Sequence, residues 1–290
     1  MKFLKHCVAL FLLFGLSHFA AFCQEPSNKN ANDSTDIEQS DEPEKANNFT
    51  IAVTGGNSLV QKGKRPATPE AYANPLFSYS HSSGISASVG AMYMPSDKKR
   101  PLDDVTFNAG YSKTLFEHWT LGAGYAWGHY FSSKQVASTE ANSVSLSTGW
   151  SNNIITPSVS AGYAFGQTSD LTYTGSLSHD FSFDGLFTDE DNLTFPVSLT
   201  AMAGTTNFYS EYIKQNPNKI QSKKKKKAVT AQDINTGFAL TAVTFNLGVS
   251  YTISKFTLST DMSYILMTND SSDLNLSNAP TFTFTLAYAF

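Results

Sequence analysis

Thr281-Phe282-Thr283-Phe284-Thr285-Leu286-Ala287-Tyr288-Ala289-Phe290 decides how this chain folds. Phe282, Phe284, Leu286, Tyr288 and Phe290 are large and apolar, and they alternate with Thr281, Thr283, Thr285, Ala287 and Ala289. A helix returns to the same face every three or four residues, a strand every second residue. The stretch therefore predicts a strand with one apolar face and one small, polar face.

The same period runs back through the chain. Phe256, Leu258, Met262, Tyr264 and Leu266 alternate with Thr257, Ser259, Asp261 and Ser263. Phe245, Leu247, Val249, Tyr251 and Ile253 alternate with Asn246, Gly248, Ser250 and Thr252. Val159 to Phe165, Trp119 to Trp127, Val105 to Tyr111 and Ile85 to Tyr93 repeat the pattern, and weaker strands are expected near 49–57, 75–82, 143–151, 170–183 and 193–203. The count is about twelve strands, with ten to fourteen as its range. Many spans run to about 9 to 13 residues, the length a tilted strand needs to cross a bilayer.

Connections alternate in length. Ser82-Ser83-Gly84, Leu115-Phe116-Glu117-His118, Asn152-Asn153 and Ser254-Lys255 read as tight turns. Between them lie the long polar links 57–74, 95–104, 131–142, 204–236 and 268–279. Outer-membrane barrels have short periplasmic turns and long external loops. An even strand number then places both ends in the periplasm. The links at 167–169 and 184–192 break the alternation, which a misplaced strand boundary would explain. Aromatics at strand ends, among them Trp119, Trp150, Tyr251 and Tyr288 on one side and Tyr93, Trp127, Tyr163 and Tyr264 on the other, suit two interfacial girdles.

Composition agrees. Charged residues are 15% of the 290 residues, against about 25% in soluble domains. No stretch after the leader reaches about 18 apolar residues, so a membrane-bound mature chain must be a closed barrel, because only helices and barrels satisfy every backbone group in lipid. The expected fold is all-β: a single antiparallel transmembrane β-barrel over 48–290.

Residues 1–23 read as a signal peptide. Lys2 and Lys5 precede the apolar run Cys7 to Leu16, and small residues around Cys23 suit cleavage there. Acylation of Cys23 is the rival reading, but Phe22 fits a lipobox poorly. Cleavage removes both cysteines, which leaves a mature chain without thiols. Residues 24–47 read as a disordered acidic tail, in which Asp33-Ser34-Thr35 resembles a short O-glycosylation site at Ser34 of Bacteroidetes exported proteins. The tail is too short for a plug domain, so active uptake is not expected.

The last strand also resembles the C-terminal signal read by the barrel-assembly machinery, carried by Phe284, Leu286, Tyr288 and Phe290. Ser158 to Tyr163, Leu177 to Phe181 and Val249 to Thr252 resemble uncharacterised outer-membrane barrel proteins of Bacteroidetes. That resemblance implies a fold and a location in the cell outer membrane, with lipid and lipopolysaccharide as surroundings. It implies no reaction.

Inward positions are small. Asn246, Ser250, Ser259 and Asp261 are the expected lumen-facing residues of the last strands. A twelve-strand barrel has a backbone radius of roughly 12 Å, which such side chains cannot fill. Water, a loop or the tail must occupy it. Passive diffusion of small polar solutes is the first expectation. A surface-binding barrel with a plugged lumen is the alternative.

An outer-membrane hydrolase is weakly supported. His81 with Ser83, His129 with Ser132, and His179 with Ser178 or Ser182 lack an orienting acid at a telling distance. Asp103 and Asp104 are adjacent, so a regular strand points them to opposite faces. Gly122-Ala123-Gly124 lies within a strand and reads as space for the lumen, not as a nucleotide loop. No catalytic residue, cofactor, metal ligand or nucleic-acid partner is expected. Lys223, Lys224, Lys225, Lys226 and Lys227 fall in the longest external loop. They are candidate contacts for lipopolysaccharide phosphates or other anions, or simply a solvated loop.

Overall fold

The computed structural model describes residues 47–60, 70–96, 101–116, 118–131, 141–152, 154–215, 237–268, 278 and 280–290. The leader, nearly all of the acidic tail with Ser34, and Lys223 to Lys227 lie outside them.

Twelve strands form one closed barrel. They are β1 (Asn48–Gly56), β2 (Tyr72–Ser80), β3 (Ile85–Tyr93), β4 (Leu102–Leu115), β5 (Trp119–Tyr130) and β6 (Asn142–Trp150), then β7 (Thr156–Phe165), β8 (Ser169–Asp184), β9 (Asp191–Gly204), β10 (Ala239–Ile253), β11 (Phe256–Met267) and β12 (Pro280–Ala289). Each strand pairs antiparallel with its chain neighbours. β1 closes the ring against β12, from Thr50 opposite Ala289 to Gly56 opposite Thr283. Closure leaves no edge strand unpaired.

The register fixes which side chains point in. Thr283 opposes Gly56 and Asp261, and Asp261 opposes Gly248, so the small residues of the last strands share one face. Phe284, Leu286 and Phe290 point outward and are exposed, with Tyr288 in the same row. Every strand carries at least one exposed large apolar side chain, from Phe49 on β1 to Phe282 on β12. This is an inside-out arrangement, with apolar residues outside and hydroxyls inside.

Aromatic pairs gather toward both rims. Trp119 stands opposite Trp150, and Phe256 packs on Tyr288 with ring centres 4.7 Å apart. Toward the other rim, Tyr163 stacks on Phe165 at 5.9 Å, and the Tyr125 hydroxyl donates to Asn142 at 2.7 Å.

Most short turns lie at one end; the three-residue link between β7 and β8, at the other end, is the exception. Ser254 and Lys255 alone join β10 to β11, with Ser254 in the left-handed region at φ 52°. Gly84 has φ 93°, and a Cβ there would stand 1.9 Å from the Ser112 carbonyl oxygen. Only glycine fits that turn.

Three details depart from the sequence reading. The links that broke the alternation are real and not misplaced boundaries, because β8 runs unbroken from Ser169 to Asp184. Asp103 and Asp104 do not sit in a regular strand. A bulge shifts the register between Met92 and Tyr93, and both aspartates are buried beside the Tyr130 phenol. A bulge abolishes strict alternation locally. Finally, the link after β9 is not all loop, since it opens with a helix, α1 (Asn207–Gln215).

Candidate functional site

The lumen is the candidate site, and its wall is knitted by hydroxyls and amides. Asn246 donates to Ser198 at 2.9 Å on one side and accepts from Ser263 at 2.6 Å on the other, tying β9, β10 and β11 together. Thr54 bonds Thr285 at 2.8 Å across the closing seam, and Ser176 bonds Thr200 at 3.0 Å. Asn108 donates to Ser88 at 3.2 Å. Cross-strand polar pairs of this kind stabilise a sheet by a few tenths to about 1 kcal/mol each.

Ser250 and Ser259 stand directly opposite each other, and Ser259 also opposes Thr285. Asp261 leans over its neighbour, so that a Cβ on Gly248 would meet its carboxylate at 2.0 Å and Pro196 at 2.7 Å. Asp180 opposes Pro196 on the other side of β9. Asp180, Pro196, Gly248 and Asp261 thus form one inward row across β8 to β11. Gly248 leaves room in the middle of this row, and the Asp261 carboxylate lies over it, beside Pro196.

The wall is unevenly covered. Ser145 and Ser147 of β6 point inward, opposite Gly162 and Ser160, and are nevertheless exposed. Across the lumen, Ser263, Ile265, Thr281 and Thr283 also point inward and are buried. Ile265 is a large inward side chain that a rule of small inward residues misses. Tyr72 reaches across Gly56 to Thr283, covering part of that wall.

The helix α1 is anchored at the long-loop end. Asp170 on β8 faces inward, opposite Ala164. Its carboxylate accepts the amides of Asn207 and Phe208, both at 2.8 Å, and the hydroxyl of Thr205. Carboxylates satisfy otherwise unpaired amides at a helix N-terminus. Phe208 is 1% exposed. The sequence offered Asp170 only as a strand residue, because its partners lie some 35 positions further along the chain.

At the opposite end Asp191 accepts the amides of Leu186, Phe187 and Thr188, and Tyr251 donates to it at 2.8 Å. It organises the longer turn between β8 and β9.

The histidine pairs come apart on inspection. His81 Nδ1 lies 2.9 Å from Ser83 Oγ but also accepts the Ser83 amide, which makes it part of an exposed turn. His179 points outward against Phe181, ring centres 4.3 Å apart, whereas Ser178 and Ser182 point inward. His129 packs outward between Trp127 and Phe131, and Ser132 lies outside the described residues. Among the described residues no group of three or more His, Cys, Asp or Glu side chains could hold a metal ion.

No family model matches the sequence, and no curated protein matches it. Among solved structures the chain is similar to the KdgM porin, at 9% identity over 84% of this chain and 99% of that one, TM-score 0.47. It is also similar to an outer membrane channel from Pseudomonas putida F1, at 11% over 88% and 100%, TM-score 0.46. LpxR from Salmonella typhimurium is similar at 12% over 82% and 99%, TM-score 0.44. Likeness this distant carries no argument about activity or solute, so function rests on this chain's own residues.

Proposed function

We propose that this chain is an outer-membrane barrel through which small polar solutes diffuse passively. The supporting observation is the exposure of Ser145 and Ser147, which point into a closed barrel and still meet solvent. A filled barrel would bury them. The apolar belt on every strand suits lipid, where a closed sheet satisfies all of its backbone groups. In this reading Phe284, Leu286, Tyr288 and Phe290 present the row that the barrel-assembly machinery engages, and the Lys223 to Lys227 run meets lipopolysaccharide phosphates.

One observation favours a second reading. The buried inward wall at Ser263, Ile265 and Thr281, with α1 anchored beside the long-loop end, suits a partly plugged barrel that acts through its loops. Single-channel recording in a planar bilayer separates the two. Diffusion predicts steady steps that scale with salt. A silent bilayer, with protein shown to be inserted and folded, favours the loops.

A further inference from the structure

We propose that the outward face of β6 to β8 is a two-fold contact surface for a second copy of this chain. This rests on the membrane placement of the apolar belt and not on an open lumen.

Leu146 and Val159 are the most exposed large apolar side chains on the described strands, at 67% and 58%. Their neighbours explain this. Leu146 stands between Ala123 and Ala161, and Val159 between Thr148 and Gly175, all six pointing outward. A Cβ built on Gly175 would meet nothing within 4 Å. The face therefore carries knobs beside a hollow. Lipid tails are as apolar as leucine, so burial alone does not favour protein over lipid on this face. Fixed packing between surfaces that interlock does.

The relief is complementary to itself. Rows of paired residues climb toward the long-loop end as they cross the strands. The row from Phe256, beside the Ser254–Lys255 turn, passes Ile51 and Val89 and reaches Trp127, eight residues above the start of β5 at Trp119. Eight residues over six strand steps, at about 3.3 Å per residue and about 4.8 Å per strand, is a tilt near 40°. Leu146 pairs through Ala161 with Tyr173 on β8, which places Tyr173 about 6 Å higher. Gly175 lies two residues back toward the short turns, about 5 Å lower than Tyr173. Leu146 and Gly175 thus share one level to within about 2 Å, about 11 Å apart around the barrel with β7 between them. Two copies in one membrane are related by a two-fold axis parallel to their barrels, which exchanges left and right at constant height. An axis beside β7 sets each Leu146 against the partner's Gly175 and brings the two copies of Val159 together. The link from β7 to β8 is only residues 166–168, which adds no long loop beside that axis.

The test is the dimer fraction of the full mature chain in phosphatidylcholine vesicles, counted by single-molecule photobleaching of labelled protein as it is diluted in lipid. The wild type should follow a monomer–dimer equilibrium. Gly175→Leu fills the hollow, and the open space there gives the new side chain room in a single barrel. It should lower the association constant roughly tenfold, as overpacking a fitted contact does. The double variant Leu146→Ala with Gly175→Leu exchanges knob and hollow, and should regain most of the wild-type association. Circular dichroism establishes that each variant keeps its sheet, and Ile51→Ala, on the opposite side of the ring, serves as control. A chain that stays monomeric at every dilution, one that clusters without stopping at two, or a dimer unmoved by Gly175→Leu overturns the proposal. So does a double variant that associates more weakly than Gly175→Leu alone. A conducting monomer overturns this proposal and leaves the channel reading standing, whereas a silent dimer does the reverse.

Discussion

Two aspartates, one at each end of the barrel, do the same chemical job with different consequences. Asp170 gathers two backbone amides and a hydroxyl, and Asp191 gathers three amides and a phenol. Each converts a link between strands into an ordered element. Asp170 occupies an inward position, so the segment it holds is anchored at the lumen wall. Asp191 lies opposite Ile253, in the outward row with Tyr251, so its turn is tied to the outer surface. Strand parity, a matter of one residue, decides whether a capping carboxylate shapes the channel or only its rim.

The comparison breaks first at Asp170. Asp170→Ala leaves the amides of Asn207 and Phe208 without their acceptor beside a buried phenylalanine. We expect a loss of about 1–3 kcal/mol in the stability of this region, read by hydrogen exchange at residues 205–208. If α1 narrows the lumen, the single-channel step should grow as well. A step of unchanged size with α1 shown to be released would mean that the helix stands clear of the path.

Asp191→Ala sharpens the contrast. It removes four hydrogen bonds of the turn between β8 and β9. A smaller and strictly local effect is expected, because the turn lies at an end open to water that can replace part of what is lost. Proteolysis within 185–190 should accelerate, while the conductance step stays as in the wild type. A changed step would show that the rim and the lumen are coupled in a way parity alone does not provide.

Much of this was legible in sequence because a strand's side-chain period is local. Phe282 to Phe290 and Phe245 to Ile253 announce their outward faces without reference to any partner. Two-residue turns such as Ser254-Lys255 carry their own signal. What lay hidden depends on contacts distant in sequence. Asp170 becomes a helix cap only when β9 brings Thr205 and Phe208 beside it. Asp103 and Asp104 come to lie together in burial through a bulge, and no composition rule announces that extra residue. Ile265 falls in a row of small residues, yet its burial depends on what stands over that wall.

The uneven cover of the lumen gives the finest test. With both cysteines of the sequence at positions 7 and 23, a mature chain that begins after them carries no native thiol, and single cysteines report local access. Ser145 and Ser263 are both inward serines, differing in cover and not in chemistry. Ser145 meets solvent, whereas Ser263 is fully buried and bonded to Asn246. In folded, membrane-inserted protein, Ser145→Cys should react readily with a small water-soluble maleimide and Ser263→Cys slowly, because a thiol must reach water to ionise and attack. The difference should vanish in denaturant, where both sites are equally open. Equal rates in the folded barrel would mean that the cover over β10 to β12 opens on the timescale of labelling, and the asymmetry would then be an average over a moving wall. If Ser263→Cys stays slow, the free path runs along β5 to β7, and a solute would travel off the barrel axis, past the serines of β6.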